Sequence, residues 1–197
     1  MSAREKILQT ITANKPAMVN LPDIDKRLVT DYPEPVTKFM NTLESIGGKV
    51  YELVNSGELE SRIYEEERKG NLVINTINGL AGGKPGIENL RSAAQLEPVY
   101  TTYISGTLGV AENGAIWIRE SQMINRLLPF ICQHLVIVLE KDKIVSTMQH
   151  AYATINCFEE GFGAFIAGPS KTADIEQALV IGAHGARSLT VFLVNPL

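Results

Sequence analysis

Two short, unbroken apolar runs constrain this chain most: Leu72-Val73-Ile74, set between Asn71 and Asn75, and Leu135 to Leu139 after His134. Successive strand residues face opposite sides of a sheet, so a run without alternation needs apolar neighbours on both faces. Leu189 to Val194 supplies a third such strand, and Lys49–Val54 and Val99–Tyr103 two shorter ones. The segments between them carry helical spacing. Val36, Phe39, Met40, Leu43 and Ile46 recur every 3.6 residues, and Gly47-Gly48 closes that helix. Glu58 to Lys69 is a charged helix that turns Leu59 and Ile63 inward, residues 88–95 form a short one, and Ile144, Val145, Met148 and Tyr152 mark another, with Met148 in its packing face. Roughly seven strands interleaved with helices predict an α/β domain with a largely parallel sheet flanked by helices.

A chain of 197 residues can bury one sizeable core, which we expect over residues 36–197. Ahead of it, residues 2–13 read as a helix with Ile7, Leu8 and Ile11 on one face. Pro16, Pro22, Pro33 and Pro35 then make residues 14–35 an extended arm. Such an arm either packs on a neighbour or leads the domain as a mobile segment. The net charge of −4, with no long run of Lys and Arg, argues against nucleic acid or an anionic membrane as partner. Met1 to Thr12 lacks a signal-like apolar core and no stretch is long enough to span a bilayer, so the expected compartment is the cytoplasm.

Cys132 and Cys157 are the only cysteines and form no Cys-x-x-Cys pair. The chain therefore cannot on its own hold an iron–sulfur cluster or a four-cysteine zinc site. His134, His150 and His184 are scattered, with no partner at metal-ligand spacing. The glycines at 79, 82, 83 and 86 around Lys84 lack the ending of a P-loop and read as a surface loop.

Polar groups suited to a ligand collect in three places. Phe165-Ile166-Ala167 reads as a strand stopped by Gly168-Pro169, followed by a helix that Ser170 or Thr172 caps and whose first turn holds Asp174 and Glu176. Free amides at such a helix start, with Lys171 beside them, make an anion cradle; an ordinary capped helix explains the same residues. Asn113-Gly114 is a tight-turn dipeptide, either a plain hairpin corner or a turn that holds Glu112 at the edge of a cleft. His184 before Gly185 is either a proton carrier or a residue beside a helix cap. If one site exists, it lies where these three meet. Glu112 then serves as base or nucleophile and His184 as proton carrier, with Gly168, Ser170, Lys171, Thr172, Asp174, Asn113 and Gly114 around an anionic ligand. Asp174 can also simply hold the loop.

Gly168-Pro169-Ser170-Lys171-Thr172-Ala173-Asp174-Ile175-Glu176, with Gly182-Ala183-His184-Gly185 and a terminal strand, resembles the signature of the LUD-domain family. Gly109 to Ala115 is similar to that family's second motif, and Leu127-Leu128-Pro129 to a third. Asn113 and Ala115 stand where the family usually has hydroxyl residues, and Arg126 lies near the place of a family arginine, whose place at the anionic ligand it would take if it replaces it. The resemblance spans roughly residues 36–194 and implies a fold like that of sugar-phosphate isomerases and CoA transferases. It also implies a role in oxidising L-lactate to pyruvate, beside a partner subunit that carries iron–sulfur clusters. Ala111-Glu112-Asn113-Gly114 is in addition similar to the run in which CoA transferases place a nucleophilic glutamate, which implies acyl transfer instead. A non-catalytic scaffolding subunit, gripping its partner through the arm, is the third alternative, and a homo-oligomer is compatible with each.

Overall fold

The computed structural model describes residues 2–17, 19, 29–83, 92–155, 161–173, 179–182 and 184–195, with 172–173 and 179–180 described by their backbone alone. The elements run α1 (Ala3–Ala13), α2 (Pro35–Ser45), β1 (Lys49–Glu52), α3 (Ser56–Arg68), β2 (Leu72–Asn75), α4 (Ala93–Leu96), β3 (Val99–Ser105) and β4 (Leu108–Val110). They continue with β5 (Ala115–Arg119), α5 (Glu120–Met123), α6 (Leu128–Ile131), β6 (His134–Glu140), β7 (Ile144–Val145) and α7 (Met148–Thr154). The strands β8 (Gly163–Ile166), β9 (Lys171–Ala173), β10 (Leu179–Ile181) and β11 (Ser188–Val194) complete the set.

The central sheet has the order β1-β11-β6-β3-β2 and all its pairings are parallel, as the unbroken apolar runs predict. Alternation along β6 shows why both faces are dry. Leu135, Ile137 and Leu139 join the main core, while Val136 and Val138 face the cluster under α3, with Leu59, Ile63 and Phe192. On the main-core face lie α2 and a second sheet, of order β7-β4-β5-β8. The outer face of that second sheet is covered by α7 through Met148, Ala151 and Ile155. Met148 is thus packing, as its spacing implies.

Phe39 and Leu43 of α2 are fully buried, and Pro35 at its first turn supplies a pre-set φ without wasting a donor. The helix stops at Gly47, whose φ of +91° few other residues adopt. Two expectations need correction. Ile144 and Val145 do not begin a helix; they pair with β4, and the helix starts only at Met148. Two branched residues beside an open strand edge gain more from ladder hydrogen bonds than from a helical turn. Nor does a helix follow Pro169: Lys171–Ala173 pairs antiparallel with Leu179–Ile181 as a ribbon. Thr172 is branched and belongs to a strand, so no helix starts at Ser170; the expected first turn with Asp174 and Glu176 lies outside the described residues.

The described part of the glycine loop is organised around Asn75, which is 1% exposed. Its Nδ2 donates to the carbonyls of Leu80 (2.8 Å) and Gly82 (3.2 Å), and its Oδ1 accepts from Ile77 N–H (2.9 Å). The amides of Ala81 and Gly83 donate to Glu60 and Glu67 of α3, so two acids already occupy the place an anion would need. Of the arm, Tyr32 N–H donates to Ser146 Oγ (3.0 Å), and that hydroxyl donates to Asp31.

His134 and Ser188 face each other in register on β6 and β11, with Nδ1 and Oγ 2.7 Å apart and the Tyr100 ring edge-on at 4.7 Å. Burial lowers the pKa of His134 below its usual value, with Glu66 partly opposing. Because the unfolded chain binds this proton more readily, stability is full above the ordinary histidine pKa of about 6.5 and falls as pH drops below it. We expect the melting temperature to decline from pH 7.5 to 5.5, and the decline to shrink in His134→Gln; an equal decline in both would assign it to other groups.

Candidate functional site

The hairpin corner is built as its residues predict. β4 and β5 pair antiparallel, Gly114 has φ +69°, and Asn113 Oδ1 accepts from Ala115 N–H (3.0 Å). On its other side β5 pairs with β8, with Ile116 opposite Ile166. Continuing that register by two residues brings Gly114 abreast of Gly168, whose φ is +75°. Both glycines rest on the end of α2. A Cβ at Gly114 would lie 3.1 Å from Leu43 Cα and 3.3 Å from Ile46 Cδ1. One at Gly168 would lie 3.1 Å from the Ile46 carbonyl oxygen and 3.4 Å from the same Cδ1. Only residues without side chains let the two segments share this seat.

The Gly168–Lys171 segment is held from two directions. Lys171 Nζ donates to the Ile46 carbonyl, placing a cation where the carbonyl end of α2 favours one. Ser170 N–H donates to Ala186 O (2.9 Å), and Ser170 O accepts from Gly182 N–H (3.1 Å). A Cβ at Gly185 would lie 3.0 Å from Ser170 Cβ, so the turn carrying the exposed His184 packs directly on Ser170. Asn113, Gly114, Gly168, Ser170, Lys171, His184 and Gly185 therefore belong to one neighbourhood around the end of α2. Asp174 and the side chain of Thr172 lie outside the described residues.

Glu112 is partly buried and turned to α7: its Oε1 accepts from Met148 N–H (2.7 Å), while its own N–H donates to Ser146 O (3.0 Å). Thr147 precedes the helix but its hydroxyl is paired with His150 Nδ1 (2.9 Å), so Glu112 supplies the capping oxygen from a distance. A carboxylate committed to a helix start is poorly placed to attack a thioester. Glu112→Ala is expected to cost about 1 kcal/mol of stability by losing the cap, and Glu112→Gln, which keeps an acceptor, much less. Denaturant midpoints measure this; equal losses would show that the cap contributes little.

Arg126 stands apart. Its Nε donates to Glu120 Oε1 (2.6 Å) and its guanidinium lies 5.2 Å over the Phe162 ring. Glu120 raises its pKa above the ordinary arginine value. Glu120 N–H donates to Phe162 O, so the pair sits at the Arg119 end of β5. Five residues of strand, about 17 Å, separate that end from Gly114. Two residues before Arg126, Ile124 has φ +58°, a strained conformation for a branched residue. The free thiol of Cys132 is buried and its pKa is pushed up to about 11, which leaves it a packing group. Among the described residues no helix is long and apolar enough to cross a membrane.

Sequence reading missed the seat itself: Ile46, Gly47 and the carbonyl end of α2. The Gly47-Gly48 pair marks a helix stop, and nothing in it announces two other loops resting there. Gly47 also receives the Lys171 side chain, at 3.5 Å from a Cβ built there.

A family model described as the LUD domain matches residues 99–194, which cover both the corner and the Gly168 segment. Lactate utilization protein C of Bacillus pumilus (strain SAFR-032) is 36% identical over 114 residues, 55% of this chain and 46% of that protein. The protein of the same name from Bacillus subtilis (strain 168) is 31% identical over 121 residues, 56% and 47% of the two chains. The chain thus spans about half the length of the curated relatives it matches. A DUF162 family protein from Deinococcus radiodurans, known as a crystal structure, shares the fold with TM-score 0.60 and 18% identity, over 88% of this chain and 100% of that one. The chain therefore carries a LUD-domain region over residues 99–194 and, over about half its length, resembles lactate utilization protein C.

Proposed function

We propose that this chain serves lactate utilization in the cytoplasm, as a subunit without iron–sulfur clusters in an assembly that oxidises L-lactate to pyruvate. The observation that carries this reading is the likeness to lactate utilization protein C, beside a LUD-domain match over residues 99–194 that takes in both loops seated on α2. Two cysteines without a Cys-x-x-Cys pair fit a division of labour in which a partner subunit carries the clusters. The neighbourhood around the end of α2 supports binding of a small carboxylate or similar anion. Lys171 brings positive charge, and His184 is exposed on the turn whose Gly185 packs against Ser170. In this reading the Lys171 ammonium and the polar groups of Ser170 and Asn113 meet the carboxylate, and His184 is the candidate proton carrier. Glu112 fixes the corner by capping α7, and Arg126 lies outside the site.

The test is a clean deletion of the gene with growth on L-lactate as sole carbon source. Growth is expected to fail and to return with the wild-type chain, which should also co-purify with an iron–sulfur protein. Normal growth of the deletion strain would contradict the reading.

A further inference from the structure

The segment just ahead of α2 is fastened to the domain at one hydroxyl. Among the described residues, the hydrogen bonds from residues 29–33 to the body of the domain both end on Ser146 Oγ, which accepts from Tyr32 N–H (3.0 Å) and donates to the Asp31 carboxylate. Thr30, Asp31 and Pro33 are exposed. Tyr32 reaches inward: its ring packs against the main core, and Lys38 Nζ of α2 lies 5.4 Å over it. With so few bonds the segment belongs to the low-stability end of the molecule, where local opening leaves the core folded.

Ser146 also carries the corner at Glu112–Gly114. Its carbonyl accepts from Glu112 N–H (3.0 Å), and the Val145 carbonyl before it accepts from Ala111 N–H (2.9 Å). Val145 stands opposite Val110 in the β7–β4 register, and two residues past Ser146 the Met148 amide donates to Glu112 Oε1 (2.7 Å). Residues 145–148 therefore hold the corner through their backbone and the segment 29–33 through one side chain. Ser146 is 4% exposed with that segment in place. If the segment lifts, the hydroxyl loses both partners, and a nearly buried hydroxyl without partners is costly. It regains them by turning to water, which disturbs the junction on which Glu112 rests.

We propose that residues 29–33 are a strap over the β7–α7 junction, and that their seating on Ser146 sets the rigidity of the Glu112–Gly114 corner. Seated, the strap holds Glu112 on the Met148 amide; lifted, it releases that carboxylate and loosens the turn. Coupling of this kind is reciprocal, so whatever moves the corner also changes how firmly the strap is held. That the strap thereby governs carboxylate binding rests on the reading of the corner as part of that site; the coupling itself does not.

The experiment is amide hydrogen exchange, followed by NMR on the labelled full chain without ligand, so that its outcome is independent of whether lactate binds. The amides of Tyr32, Glu112 and Met148 report on the strap and the corner, and those of Ile137 and Val191 in the central sheet serve as references. Asp31→Ala removes an exposed carboxylate, and Ser146→Ala removes the shared hydroxyl. Each is expected to speed exchange at Tyr32 about tenfold or more, and at Glu112 and Met148 about threefold, with Ile137 and Val191 unchanged. In the reverse direction, Glu112→Ala should speed exchange at Tyr32 about threefold. Faster exchange at Tyr32 alone in Asp31→Ala would overturn the proposal, because the strap would then be an ordinary surface contact. So would a wild-type Tyr32 amide that exchanges as fast as an unstructured peptide. Asp31→Ala, at an exposed position, decides the matter even if Ser146→Ala does not fold.

Discussion

Replacing Phe39 by alanine is expected to destabilise the protein by about 3–5 kcal/mol, the range for truncating a fully buried aromatic side chain. Phe39 has no exposed surface, and its ring lies where α2 meets both sheets. A Cβ built at Gly109 of β4 would come within 3.2 Å of the ring, so the strand backbone rests directly on it. Neighbours pressed against backbone cannot collapse into the space left behind, which puts the cost toward the upper end. Guanidinium unfolding should show a lower midpoint with an unchanged slope. A loss below about 1 kcal/mol would mean that α2 is not wedged between the sheets.

Gly168→Ala and Gly114→Ala are each expected to cost about 2 kcal/mol. Positive φ penalises any L side chain by about 1–2 kcal/mol, and each new methyl crowds the backbone at the end of α2 at 3.1 Å. The double variant is the informative one. Both methyl groups press on the same helix end and on the same Ile46 Cδ1, so a shift that relieves one partly relieves the other. The combined loss should fall short of the sum by more than about 0.5 kcal/mol. Additivity within that margin would mean that the two loops do not share a seat.

The layout of the central sheet was legible because its strands carry apolar runs that only a doubly covered parallel sheet can bury. Phe39, Leu43 and the Gly47-Gly48 stop set α2 within a residue or so for the same reason: burial and left-handed backbone leave marks in residue type. The corner at Asn113-Gly114 was legible from turn chemistry alone. Apart from Ile144 and Val145, which pair with β4 rather than begin a helix, what failed was local and polar. Ser170 and Thr172 suit a helix start equally well in composition, and only pairing of Lys171–Ala173 with Leu179–Ile181 decides for a strand. Such pairing is a long-range contact that leaves no periodic signal in three residues. Glu112 is a similar case: its acid type suggested chemistry, and its partner, the Met148 amide, lies 36 positions away. Likewise Ile124 gives no hint of its positive φ, which only the loop around it imposes.

That the corner and the Gly168 segment meet on the end of α2, and hold a small carboxylate there, is best tested by amide chemical-shift mapping of the labelled full chain with L-lactate. Saturable shifts are expected at Asn113, Gly114, Gly168, Ser170, Lys171 and Gly185, with Lys171→Ala abolishing them. An unchanged spectrum, or shifts gathered in the glycine loop of residues 76–83, would contradict the account.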